Sequence, residues 1–118
     1  MAKHIQTGKA GEQLAADYLF KKGYQILAQN WRYSRWEVDV IAEKNAVLHF
    51  IEVKTRSSKK FGMPEEKVSH KKIQNLLHAA EQYLYLNPQW KRIQFDILSL
   101  LIIKDMPAEY FFIEDISG

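Results

Sequence analysis

The stretch Glu37-Val38-Asp39-Val40-Ile41-Ala42-Glu43-Lys44-Asn45-Ala46-Val47-Leu48-His49-Phe50-Ile51-Glu52-Val53-Lys54 holds two runs rich in β-branched and aromatic residues, parted by a short polar interval. Alternation within each run suits strands, whose successive side chains point to opposite faces. Strands are therefore predicted over Trp36 to Glu43 and Ala46 to Arg56, with Lys44-Asn45 as a tight turn. Glu37, Asp39 and Ile41 then share one face of the first strand, and Phe50, Glu52 and Lys54 share one face of the second. Three acids and a lysine in otherwise apolar strands are costly unless paired or put to use. Whether they meet is a matter of register. If opposed residue numbers sum to 89 or 91, Asp39 lies opposite or diagonal to Glu52 on one face, whereas an even sum separates them.

Upstream, Tyr24 to Tyr33 is aromatic and β-favouring and adds a strand to an antiparallel meander. Before it, Gly11, Leu14, Ala15, Tyr18 and Leu19 recur at helical spacing within a helix from about His4 to Lys22, which Gly23 ends. Downstream, Ser57 to Val68 carries Gly62 and Pro64 and reads as a loop. Ser69 is a suitable N-cap for a second helix with Ile73, Leu76, Leu77, Ala80 and Leu84 on one face, closed by Asn87-Pro88. Ile93 to Ile103 is apolar enough for a central strand, and Tyr110 to Ile116 supplies the last. The order helix, three strands, helix, two strands implies an α/β sandwich with a mixed five-stranded sheet and a helical crossover.

A chain of 118 residues, 47% hydrophobic, suits one domain spanning 1–118 with one continuous core. Without Cys it has neither disulfides nor thiolate zinc sites, so a metal must use oxygen or imidazole ligands. The start lacks the apolar stretch of a secretory signal, and Ile97 to Ile103 is too short to span a bilayer, so a soluble cytoplasmic protein without membrane partners is expected. The net charge of +3 is unevenly spread: Lys54 to Lys72 holds seven Lys or Arg against Glu65 and Glu66. Such a patch concentrates polyanions and offers phosphate contacts.

Two carboxylates about 4 Å apart repel by roughly 4 kcal/mol at an effective dielectric near 20. Protonation, a pairing with Lys54, or a bound cation relieves that repulsion. A sparse oxygen site suits Mg²⁺ or Mn²⁺, which keeps several waters and accepts phosphate oxygens as further ligands. Such an ion polarises a phosphate and activates a water, with Lys54 positioning that water or stabilising developing charge. The structural alternative is a salt bridge of Glu52 with Lys54 or a neighbour. Trp31, Arg32, Tyr33, Arg35 and Trp36 interleave aromatics with cations, a composition suited either to stacking on nucleic acid or to packing at a sheet edge. His4, His49, His70 and His78 show no close zinc spacing, with His49 on the face opposite Glu52 and His70 a candidate phosphate contact. No Gly-rich phosphate loop is present. Asp96 is read equally as a structural hydrogen-bonding group or as part of the site.

Gly11-Glu12-x-x-Ala15, Gly23-Tyr24 with Ile26-Leu27, Asn30-x-Arg32, Glu37-Val38-Asp39, Glu52-Val53-Lys54-x-Arg56, Phe61-Gly62, Pro64, Val68, Lys71 or Lys72, and Phe95-Asp96 together give a resemblance over nearly the whole chain. It resembles the PD-(D/E)xK nuclease superfamily and, within it, the small bacterial YraN-like proteins, which are similar to archaeal Holliday-junction resolvases. The resemblance implies a restriction-endonuclease-like fold in which Asp39 and Glu52 hold Mg²⁺ or Mn²⁺, Val53 adds a backbone carbonyl, Lys54 serves the water, and Glu12 is the helix-borne acid. It also implies a DNA substrate, branched or structured, and a homodimer. Arg32, Arg35, Trp36, Arg56, Lys59, Lys60, Lys71 and Lys72 are the expected nucleic-acid contacts. Trp36 stands where the family commonly has Gly, and it favours a second reading, a non-catalytic nucleic-acid-binding protein that keeps the nuclease scaffold. A third reading is a protein-interaction domain using the apolar final strands.

Overall fold

The computed structural model describes residues 2–57 and 70–116. The expected Ser69 cap, the loop beyond Ser57, and Lys59 and Lys60 lie outside them. The elements are α1 (Ala2–Lys21), β1 (Gln25–Tyr33), β2 (Trp36–Lys44), β3 (Val47–Arg56), α2 (His70–Leu86), β4 (Ile93–Leu101) and β5 (Glu109–Ile113). This is the predicted α/β order, and the strands form one mixed sheet in chain order, β1-β2-β3-β4-β5. β3 and β4 are parallel and the other neighbours antiparallel, with α2 as the crossover. Among the described residues no helix is long and apolar enough to cross a membrane.

Local chemistry explains the boundaries. Gly23 takes φ 95 and ends α1 in paired bonds, Gly23 N–H to the Phe20 carbonyl and Tyr24 N–H to the Leu19 carbonyl, both 3.0 Å. The β2–β3 turn is Asn45-Ala46, one residue later than expected: both take positive φ, 54 and 67, which matches the right-handed twist of a two-residue hairpin. The Glu43 carboxylate accepts from Ala46 N–H at 3.0 Å and secures the turn. β4 and β5 end earlier than predicted, at Leu101 and Ile113. Beyond Ile113 the chain leaves the sheet, and Asp115, at φ 57, turns it so that Ile116 N–H reaches the Phe95 carbonyl at 2.8 Å.

The helices cover opposite faces. On the α2 side Leu76, Ala79, Ala80 and Tyr83 pack on Ile41, Leu48, Phe50 and Phe95. On the α1 side Ala15 and Leu19 pack on Val40, Ala42, Ile51, Leu98 and Leu100. Fully burying each large apolar side chain contributes about 1.5–3 kcal/mol, so the sheet, apolar on both faces at its centre, requires both helices. Gly11 permits the close approach of α1 to β3, because a Cβ there would overlap the Thr55 hydroxyl and stand 3.1 Å from its methyl group.

Candidate functional site

The β2–β3 ladder pairs Val40 with Ile51, Ile41 with Phe50 and Lys44 with Val47, all summing to 91, one of the two sums that keep Asp39 and Glu52 on a common face. One step beyond the last pair stand Asp39 and Glu52, which line one cavity on the α2 side. The ladder does not continue there as backbone pairing. The Val53 N–H instead donates to Asp39 Oδ2 at 2.8 Å. In an extended strand the N–H and C=O of one residue point toward the same neighbour, so the Val53 carbonyl faces the same gap.

Above the gap lies a cavity of about 330 Å³ whose wall includes Glu37, Asp39, Glu52, Val53 and Lys72. The Lys72 ammonium, on the first turn of α2, lies 2.9 Å from Glu52 Oε2, and the Glu52 side chain is only 13% exposed. Burial and the charge of Glu52 push the Asp39 carboxyl up to about 7, against the hydrogen bond from Val53; Glu37 adds to the rise and Lys72 opposes it. Burial works to lower the Lys72 ammonium, but its hydrogen bond to Glu52 and the charges of Glu52 and Asp39 hold it above its ordinary value. The wall sets Glu37, Asp39 and Glu52 against Lys72 and Arg35, one acid more than its bases.

Arg35 and Asn75 continue the wall into a second cavity of about 400 Å³, which Trp36 and Lys71 complete. The Trp36 indole stacks on His78 of α2, with centroids 5.0 Å apart and planes at 25°, and the Arg35 guanidinium lies 5.5 Å from an indole ring centroid. Packing, one of the two roles weighed for Trp36, is therefore realised: the indole also rests on the α2-side core.

The expected residues are distributed as follows. Asp39, Glu52 and Val53 converge, and Arg35, Trp36, Lys71 and Lys72 surround them. Lys54 stands next-but-one to Glu52 on β3, half-buried and paired in register with Ser99, while the ammonium in the cavity wall is that of Lys72. Glu12 is exposed on α1 and accepts from Asn30 Nδ2 at 3.4 Å. Arg32 is bound to Glu37 at 3.3 Å, and Arg56 is half-buried at the end of β3. Sequence reasoning missed Lys72 as the partner of Glu52, Asn75 as a wall residue and His78 as the support of Trp36. The i, i+3 spacing of Lys72, Asn75 and His78 is the signal that places all three on one helical stripe. Asp96 is fully buried and bound to His49, away from this cavity.

The profile of the uncharacterised protein family UPF0102 matches residues 11–100. The chain is 45% identical over 100 residues to a UPF0102 protein of Flavobacterium psychrophilum, covering 85% of this chain and 84% of that one. A UPF0102 protein of Syntrophomonas wolfei is 47% identical over 98 residues, covering 82% and 85%. One from Bacteroides fragilis is 41% identical over 101 residues, covering 86% and 84%.

Proposed function

This chain belongs to the uncharacterised protein family UPF0102, and we propose that it is a metal-dependent endonuclease of the PD-(D/E)xK type, cutting DNA phosphodiester bonds in branched or structured substrates. The observation that carries this reading is the single cavity wall that Asp39 and Glu52 share, with the Val53 N–H on the Asp39 carboxylate. The donor chemistry fits a hard divalent ion. Among the described residues no three His, Cys, Asp or Glu side chains converge as a full cage. Two carboxylates and a carbonyl match the few protein ligands that Mg²⁺ takes when phosphate and water complete its shell. Asp39, Glu52 and the Val53 carbonyl would hold Mg²⁺ or Mn²⁺, which when bound polarises the phosphate and lowers the pKa of a bound water.

The chain's own groups supply the remainder. Lys72 holds Glu52 oriented and offsets part of the negative charge as DNA approaches. Lys54, from the same strand face, serves the water or the developing charge. Arg35 and Lys71 grip the flanking backbone, with Arg35 presented by the supported Trp36.

Incubation of the protein with Mn²⁺ or Mg²⁺ and junction, flap and linear DNA, beside Asp39→Ala, tests the reading. Cleavage that requires the ion and vanishes in the variant is expected. Equal binding by both proteins without cutting would replace the enzyme with a non-catalytic DNA binder, a reading favoured by the Lys72 ammonium already seated against Glu52.

A further inference from the structure

On the α1 side of the sheet, at the end where β2 turns into β3, a third cavity, of about 330 Å³, has Tyr24, Lys44, His49, Arg92, Gln94 and Glu114 in its wall. Its floor is built across β3 and β4, whose parallel register pairs His49 with Gln94 and Ile51 with Asp96. His49 Nδ1 lies 2.7 Å from Asp96 Oδ2, with the residues 5% and 0% exposed. Asp96 Oδ1 accepts from Gln94 Nε2 and from Asp115 N–H, both at 2.9 Å. A carboxylate held this way accepts from Nδ1–H and so fixes which ring nitrogen is engaged. Tyr24 meets the imidazole edge to face at 4.9 Å and fixes its plane. Nε2 has no hydrogen-bond partner among the described residues and is not one of the sealed polar atoms, and His49 lines the cavity.

The rest of the wall carries charge. The Lys44 ammonium lies 5.0 Å from the centroid of the Tyr24 ring, and Arg92 is exposed at the entry to β4. Neither forms an ion pair among the described residues. Burial, then the charges of Asp96 and Glu114, with a smaller push from Tyr18, raise the Tyr24 phenol to about 12, so it keeps its proton at neutral pH. At the rim two cations face Glu114, while the Asp96 carboxylate lies buried beneath the floor, taken up by His49, Gln94 and the Asp115 N–H.

We propose that this cavity is a separate ligand site for a small phosphorylated molecule, its oxyanion held by Lys44 and Arg92 while a P–O–H of the same phosphate donates to His49 Nε2, the ring nitrogen left as acceptor once Nδ1–H is given to Asp96. Its volume is at the small end of ligand pockets, enough to seat a phosphate group and a few further atoms. Glu114 supplies an acceptor for a hydroxyl of the same molecule and selects against a second anionic group.

The test is ¹⁵N-histidine NMR of the full chain titrated with inorganic phosphate, with glycerol phosphate, and with chloride at matched ionic strength. The expected result is a saturable shift of the His49 Nε2 signal by either phosphate probe, with His78 unmoved. Arg92→Ala and Lys44→Ala should each weaken binding about tenfold, the loss of one charge-assisted contact. Asp39→Asn should leave it unchanged, so failure here is distinct from failure of the nuclease reading. A single-stranded oligonucleotide at equal phosphate concentration should not shift His49. The proposal is overturned if neither phosphate probe moves His49 beyond chloride, if both rim variants bind as the parent does, or if the oligonucleotide produces the same shift.

Discussion

Asp39 is the residue on which most of the chemistry turns, and its environment makes a signed prediction about stability. With its carboxyl raised to about 7, the folded chain holds a proton that the unfolded chain releases near the ordinary value of 3.8. Folding stability therefore falls as pH rises between those values, and the full penalty applies above about 7. In metal-free protein Asp39→Asn should be more stable than the parent by about 2 kcal/mol at pH 8, with the gain fading toward pH 4. Urea unfolding at the two pH values checks this, and a gain larger at the acid end would refute it. Lys72→Met removes a charge that lowers the Asp39 carboxyl, so that group should titrate still higher, as followed by ¹³C-carboxyl NMR. Asp39 and Glu52 were legible as a pair because they interrupt apolar strands. Lys72 was not, because a positive residue beyond a loop has no register with β3 until the fold is known. His49 and Asp96 were separated by the same blindness: 47 positions apart in sequence, they meet only through the parallel pairing.

At the scale of the element, the sequence left open which dipeptide makes the β2–β3 turn, yet still predicted that Asp39 and Glu52 share a face. A turn at Lys44-Asn45 opposes residues summing to 89, and one at Asn45-Ala46 gives 91; any two-residue turn yields an odd sum. Face assignment is therefore more robust than turn assignment. Strand ends were less legible, since the apolar run continues through Ile102 and Ile103 past the end of β4, and Ile116 packs on the α2-side core after the chain has left the sheet. The contact of α1 with β3 is the element-level feature most open to test. Gly11→Ala drives a methyl group into the stiff, β-branched Thr55 and should cost about 1–3 kcal/mol. Adding Thr55→Ala should recover most of that loss. Thermal melts of the two single variants and the double variant decide it, and additive losses would mean that the contact is not the cause.

For the whole molecule, the basic side chains matter as a field as well as one by one. Under the nuclease reading, DNA affinity should fall linearly on a double-logarithmic plot against salt, and Arg35→Ala with Lys71→Ala should flatten the slope by about 2. Fluorescence anisotropy over a salt series measures it; a salt-insensitive complex would support the interaction-domain reading. The sheet has a further consequence at this scale. β1 is an outer strand, its pairing with β2 slips between Ile26 and Ala28, and Asn30 takes φ 53. A rim broken in this way is a poor template for another chain's backbone. Crowded copies of this protein should therefore resist joining through the β1 rim, which leaves the short β5 rim and the helical surfaces to any symmetric pair.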